Sequence, residues 1–149
     1  MKKKVLLTGV SGYIGLHSAK TLLENGYNVV GTVRNANKEN EVKSSLNSAS
    51  VSINNLSFIH LDLNSDNGWD SALSNCDYVM HIASPFKVEN PKNEMEMLGP
   101  AVDGTLRVLK AAKKNRVKRV VLTSSTVAMM GGKKTGILTP EDWSDLNSK

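Results

Sequence analysis

Val5-Leu6-Leu7-Thr8-Gly9-Val10-Ser11-Gly12-Tyr13-Ile14-Gly15 is the stretch that decides the fold. Its opening aliphatic run, without polar alternation, reads as a strand buried on both faces. The run leads straight into Gly9-x-x-Gly12-x-x-Gly15, and residues at helical spacing follow. Gly9 permits a tight turn, Gly12 lets backbone approach a diphosphate, and Gly15 lets the helix pack against the strand. The helix N-terminus then offers free N–H groups and a positive dipole end to the phosphates. Glycines alone say little, because turns collect them. The strand before and the helix after are the context that gives this spacing its meaning. No Gly-Lys-Ser/Thr follows, which excludes a phosphate loop of the ATPase type.

Outward from this stretch, two periods alternate. Apolar runs of strand type recur at Val5–Leu7, Val29–Val33, Leu56–Leu61, Tyr78–Ile82 and Val120–Leu122. Helical spacing fills the gaps. Ile14, Ala19, Leu22 and Leu23 predict one helix stripe, ended by Gly26 in a left-handed cap. Lys38–Leu46 is a weaker helix, followed by a Ser/Asn-rich loop, and Trp69–Leu73 is a short one. The longest helix runs from about Glu94 to Lys114. Leu98, Ala101, Val102, Leu109 and Ala112 are expected along one side, with Leu106 and Val108 widening the apolar surface. Pro100 marks either a kink or the true first turn. This alternation predicts an α/β fold, a doubly wound parallel sheet of order 3-2-1-4-5 that stops after the fifth strand.

Composition bounds the rest. The 149 residues are 40% hydrophobic and 22% charged, enough for one domain with a real core. The net charge of +5 is scattered among Lys2–Lys4, Lys113–Arg119 and Lys133–Lys134. No aromatic residues interleave with it, so no nucleic-acid surface is expected. The lone Cys76 excludes an internal disulfide and suits a reducing cytoplasm. The start MKKKVLLTGV mimics a secretory leader briefly, but Thr8-Gly9 breaks its apolar run, and no stretch is long enough to span a membrane. His17, His60 and His81 fall on separate elements and read as structural, not as metal ligands. Met129-Met130 reads as core or linker, and Gly131-Gly132-Lys133-Lys134 as a loop.

The glycine motif, with its leading Thr8, resembles that of the extended short-chain dehydrogenases and reductases, and the dihydroflavonol and cinnamoyl-CoA reductases look closest. Asp62-Leu63 matches that family's adenine-side pair. His81-Ile82-Ala83-Ser84-Pro85 resembles its fourth-strand ending, Val102-Asp103-Gly104-Thr105 its long-helix signature, and Val121-Leu122-Thr123-Ser124-Ser125 its fifth-strand serine motif. The resemblance spans nearly the whole chain and implies a Rossmann domain. It implies cofactor contacts from Thr8, Gly9, Ser11, Gly12, Tyr13, Ile14 and Gly15, from Asp62 and Leu63, from Ile82, Ala83 and Ser84, and from Thr123 and Ser124. Asp62 reads equally as the cap of a turn after its strand.

Charge selects the form of the cofactor. An NAD site carries an acid near the end of the second strand, on the ribose 2′-OH. Here that strand ends Gly31-Thr32-Val33-Arg34-Asn35. Arg34 offers a planar fork of donors suited to a 2′-phosphate, and Lys38 can add a second charge. The expected cofactor is NADP(H).

The family's catalysts combine a Ser, a Tyr and a Lys four residues after the Tyr. On a helix those last two share a face, so the ammonium lowers the phenol pKa. Ser125 is the expected serine, with Ser124 its rival. The Tyr is missing: Tyr13, Tyr27 and Tyr78 are followed at the fourth position by His17, Gly31 and Ile82. Pro140-Glu141-Asp142-Trp143-Ser144-Asp145 resembles the family's run-in to that Tyr, so the sequence is expected to be part of a longer reductase. Without the next helix, the long helix would expose apolar surface that favours self-association, and the fifth strand would be an open edge. Two readings remain. One is the cofactor half of an NADP-dependent reductase of a small carbonyl compound, inactive by itself. The other is a non-catalytic NADP(H)-binding sensor or partner-binding protein. A sugar epimerase or dehydratase is a further option, against which Arg34 argues.

Overall fold

The computed structural model describes residues 2–85, 93, 95–132, 136–145 and 147. The elements alternate as β1 (Lys4–Thr8), α1 (Tyr13–Glu24), β2 (Asn28–Val33), α2 (Ala36–Ser48), β3 (Leu56–His60), α3 (Trp69–Leu73), β4 (Tyr78–His81), α4 (Met95–Lys114), β5 (Arg119–Leu122) and α5 (Val127–Met130). All strands pair in parallel, in the order β3-β2-β1-β4-β5. This is the predicted doubly wound sheet. The strand ends differ from expectation by a residue at most, because Leu61 and Ile82 already belong to loops. Glu94, Lys133 and Lys134 lie outside the described residues.

β1 is central, and Val5, Leu6 and Leu7 have almost no exposed surface. Strand alternation sends Leu6 to one face, where Val79, Trp69, Leu73, Val108, Ala111 and Ala112 close a core under α3 and α4. Leu7 goes to the other face, with Val10, Ala19, Leu23, Val29, Val42 and Leu46 under α1 and α2. Each such aliphatic side chain contributes roughly 1.5–3 kcal/mol on burial. α1 ends as expected: Gly26 adopts φ +78°, and the Gly26 and Tyr27 amides close on the Leu23 and Leu22 carbonyls at 3.0 and 3.1 Å. α2 begins where Asn35 Oδ1 accepts the Lys38 amide at 3.1 Å, a side-chain cap.

Two expectations need correction, and two open ones are narrowed. Ile14 is exposed and leaves the α1 stripe, which Gly15, Ala19 and Leu23 form instead. In α4 the buried side is Gly104, Val108, Ala111 and Ala112, whereas Leu98, Val102, Leu106 and Leu109 are 47%, 53%, 41% and 36% exposed. Apolar residues surround more than one side of this helix, so periodicity could not select the face; small residues seat it because they let its backbone approach the sheet. Pro100 stands inside α4, beyond its first turn. α5 is an unforeseen short helix, and Met130 on it is exposed, which of the two readings, core or linker, excludes core for that residue. β5 is an edge strand as expected, with Val121 and Leu122 about half exposed.

Candidate functional site

In a parallel sheet every strand delivers its following loop to the same edge, and the crevice opens where chain direction diverges between β1 and β4. Here that edge collects Gly9–Gly15, Arg34, Asp62-Leu63, Ile82–Ser84 and Thr123–Ser125.

The glycine loop turns at Gly9, whose φ of +70° and close approach to Ala83 both exclude a side chain. Its carbonyl accepts the Gly12 amide at 3.0 Å. Gly12 precedes α1 without a side-chain cap, and no acid stands in the first turn. The first-turn N–H groups therefore point to the crevice without a competing carboxylate, which suits a diphosphate. Tyr13 and Ile14 are exposed beside them, and Ser11 is half-buried.

Beyond β2, Arg34 is exposed and its guanidinium has no partner among the described residues. Lys38 is different: its ammonium lies 2.6 Å from Glu41 in the same helix. Such an exposed pair is worth at most about 1 kcal/mol, so a phosphate can compete for it. Beyond β3, Asp62 Oδ1 accepts the Asn64 amide at 2.9 Å and its side-chain amide at 3.1 Å. The turn-capping role is thus realised through that one oxygen. Arg107 from α4 donates to the Leu63 carbonyl at 2.6 Å and pairs with Asp66, pinning this loop from behind. Sequence reasoning missed Arg107. No local signal marks it, because its partners are more than forty positions away.

Beyond β4, Ile82 and Ala83 both donate to the Thr8 hydroxyl at 3.1 Å. Thr8 is wholly buried, so its side chain braces the site from beneath. Ser84 is exposed. Beyond β5, the Thr123 amide donates to the His81 carbonyl at 3.0 Å. Ser125 Oγ accepts the Val127 amide at 3.2 Å, which leaves its proton free to donate. Ser124 and Ser125 are both exposed.

Among the described residues none of the three tyrosines is hydrogen-bonded to these serines. Tyr13 lies on α1, edge-on to His17 at 4.7 Å. Lys3 Nζ does donate to the Tyr78 hydroxyl at 3.0 Å, but Tyr78 opens β4, so this Lys–Tyr pair occupies the opposite edge of the sheet. His60 sits 3.5 Å from Glu39, and no cluster of three possible metal ligands occurs among the described residues. Cys76 is buried, and burial pushes its thiol pKa up. No helix among the described residues is long and apolar enough to cross a membrane.

Known proteins share this arrangement. An uncharacterised oxidoreductase of Schizosaccharomyces pombe is 39% identical over 97% of this chain and 44% of its own length. Dihydroflavonol 4-reductase of Dianthus caryophyllus is 38% identical over 81% of this chain and 33% of its own. The crystal structure of Candida albicans Gre2 in complex with NADPH superposes with a TM-score of 0.82 at 32% identity, covering 97% of this chain and 44% of that one. The chain thus spans less than half the length of these relatives. The pattern of the NAD dependent epimerase/dehydratase family matches residues 5–147, and with its glycine loop, sheet order and strand-end residues the chain belongs to that family.

Proposed function

We propose that this chain is the cofactor-binding half of an NADP-dependent carbonyl reductase. The observation that carries this reading is Arg34: an unpartnered guanidinium stands at the end of β2, where a carboxylate would favour NAD. The NADPH in the Candida albicans Gre2 structure supports it. Gly12, the α1 N-terminus and Gly15 would receive the diphosphate, Arg34 with Lys38 the 2′-phosphate, and Asp62 and Leu63 the adenine. Ile82, Ala83, Ser84, Thr123 and Ser124 would line the nicotinamide side. When bound, NADPH supplies a hydride to the carbonyl carbon of a small-molecule substrate. Ser125, whose hydroxyl proton is free, would donate a hydrogen bond to the substrate oxygen. The proton that completes the alcohol needs an acid that these tyrosines do not provide, so this chain alone is read as inactive. A cytoplasmic setting fits the free, buried Cys76.

The experiment is calorimetric titration of the chain with NADPH and NADH, beside a steady-state assay of NADPH oxidation with aldehydes and ketones. Tight NADPH binding, much weaker NADH binding and no turnover are expected. Equal affinity for the two would refute the Arg34 reading, and turnover that depends on Ser125 would refute inactivity. The second reading, a non-catalytic NADP(H)-binding protein, is favoured by the position of the Lys–Tyr pair away from the crevice. A longer form of the protein that still lacks turnover would support it.

A further inference from the structure

The ends of β1 and β4 are joined by a buried hydrogen-bond node that strand pairing does not require. Thr8 and His81 are partners in the parallel register and are 0% and 1% exposed. The Thr8 hydroxyl lies 2.7 Å from His81 Nδ1. The same oxygen accepts the Ile82 and Ala83 amides, each at 3.1 Å. A hydroxyl has one proton and two lone pairs. With both lone pairs engaged, its proton points to His81. Nδ1 is then the acceptor, and the neutral ring carries its own hydrogen on Nε2. An Nδ1–H ring would face an oxygen with no lone pair left and would displace one of the two amides. Burial acts in the same sense, favouring the uncharged ring.

The two amides hold the chain's exit from β4. A Cβ on Gly9 would lie 2.9 Å from Ala83 N and 3.0 Å from Ala83 Cα. The exit segment and the glycine loop therefore meet without slack. Their contact is held by hydrogen bonds that converge on the Thr8 hydroxyl and end on a buried imidazole.

We propose that His81, acting through the Thr8 hydroxyl, is a positioning residue for the dinucleotide crevice, holding Ile82 and Ala83 against Gly9 so that the glycine loop and the exit from β4 keep the relative placement that cofactor binding needs. Its effect on affinity rests on the cofactor reading above; the positioning itself rests on geometry alone.

Nitrogen-15 NMR of the ring, amide hydrogen exchange and NADPH titration test this together. The ring is expected as the Nε2–H tautomer, with slow exchange at Ile82 and Ala83. His81→Phe and Thr8→Val should each speed that exchange and weaken NADPH binding roughly tenfold, the loss of about one net buried hydrogen bond. The double variant should be no weaker than either single one. His81→Asn, whose amide oxygen can replace Nδ1 as acceptor, and Thr8→Ser should recover most of the loss. An Nδ1–H ring would overturn the proposal. So would Thr8→Val or His81→Phe chains that are less stable yet keep wild-type exchange at Ala83 and wild-type affinity, the pattern of a purely structural residue. Should His81→Phe not fold, Thr8→Val against Thr8→Ser decides. If the wild-type chain binds no NADPH, the cofactor reading fails, while the tautomer and the Ala83 exchange still decide the positioning.

Discussion

A side chain on Gly15 would overlap the carbonyl oxygen of Gly9 and come within 2.8 Å of its carbonyl carbon and 2.9 Å of Val10 Cα. The first turn of α1 and the glycine loop thus touch backbone to backbone, and backbone cannot step aside as a flexible side chain can. Gly15→Ala is expected to cost about 3 kcal/mol or more of unfolding free energy, read by urea denaturation, and to abolish NADPH binding. Unchanged stability and affinity would show that α1 can move outward without harm.

On the proposed reading, Arg34 is the residue expected to discriminate between the two nicotinamide cofactors. Arg34→Ala is expected to weaken NADPH binding by roughly tenfold to a hundredfold, the worth of a charge-assisted hydrogen bond or two. NADH binding should hardly change, because its ribose has no 2′-phosphate. Calorimetry with both cofactors reads the ratio, and an unaltered ratio would assign the phosphate to another group.

His81 makes stability depend on mildly acidic pH. Burial lowers its folded-state pKa below the ordinary 6.5. At lower pH the unfolded chain takes up a proton that the folded form resists. This contribution is fully present above about pH 6.5 and is lost as pH falls through the folded value. The urea midpoint should fall between about pH 7 and about pH 5, and His81→Asn should flatten that part of the profile. Asp77 acts lower down. A hydrogen bond from Lys118, and a second from the Lys4 amide, hold its carboxyl below the ordinary 3.8, so its contribution is present above that value and is lost only as pH falls further. A profile that His81→Asn leaves untouched would assign the acid sensitivity elsewhere.

Leu98, Val102, Leu106 and Leu109 line one exposed face of α4. At spacings of four, four and three residues they form a seam that a second copy of the chain can match. Sedimentation velocity on the chain should show association that grows with concentration. Leu98→Glu combined with Leu106→Glu should abolish it while leaving helix content intact, since neither side chain belongs to the core. A wild-type chain that stays monomeric at its highest soluble concentration would remove self-association from the account.

Much of the site was legible because its signals are local. The glycine spacing needs only a strand before it and a helix after it, and both lie within Lys4–Glu24. Arg34 is read from the absence of an acid at the end of one strand. Asp62 shows where such reading stops: turn cap and cofactor ligand look alike in sequence, and the bonds from Asn64 establish the first role without excluding the second. Ser124 and Ser125 are likewise adjacent and both exposed, and the Val127 amide on Ser125 is a local bond that no motif foretells.

The sequence by itself determined the order of strands and helices, the glycine turn between β1 and α1 and the charge at the end of β2. Each follows from steric and periodic preferences within a few residues. Only the tertiary structure decided which face of α4 is buried, that Arg107 braces Leu63, and that the Thr8 hydroxyl, the His81 ring and two amides form one node. Those relationships join positions some 44 to 75 residues apart. They depend on the packing of a parallel sheet, where neighbours in space come from strands separated by whole crossovers, and no local pattern encodes that distance.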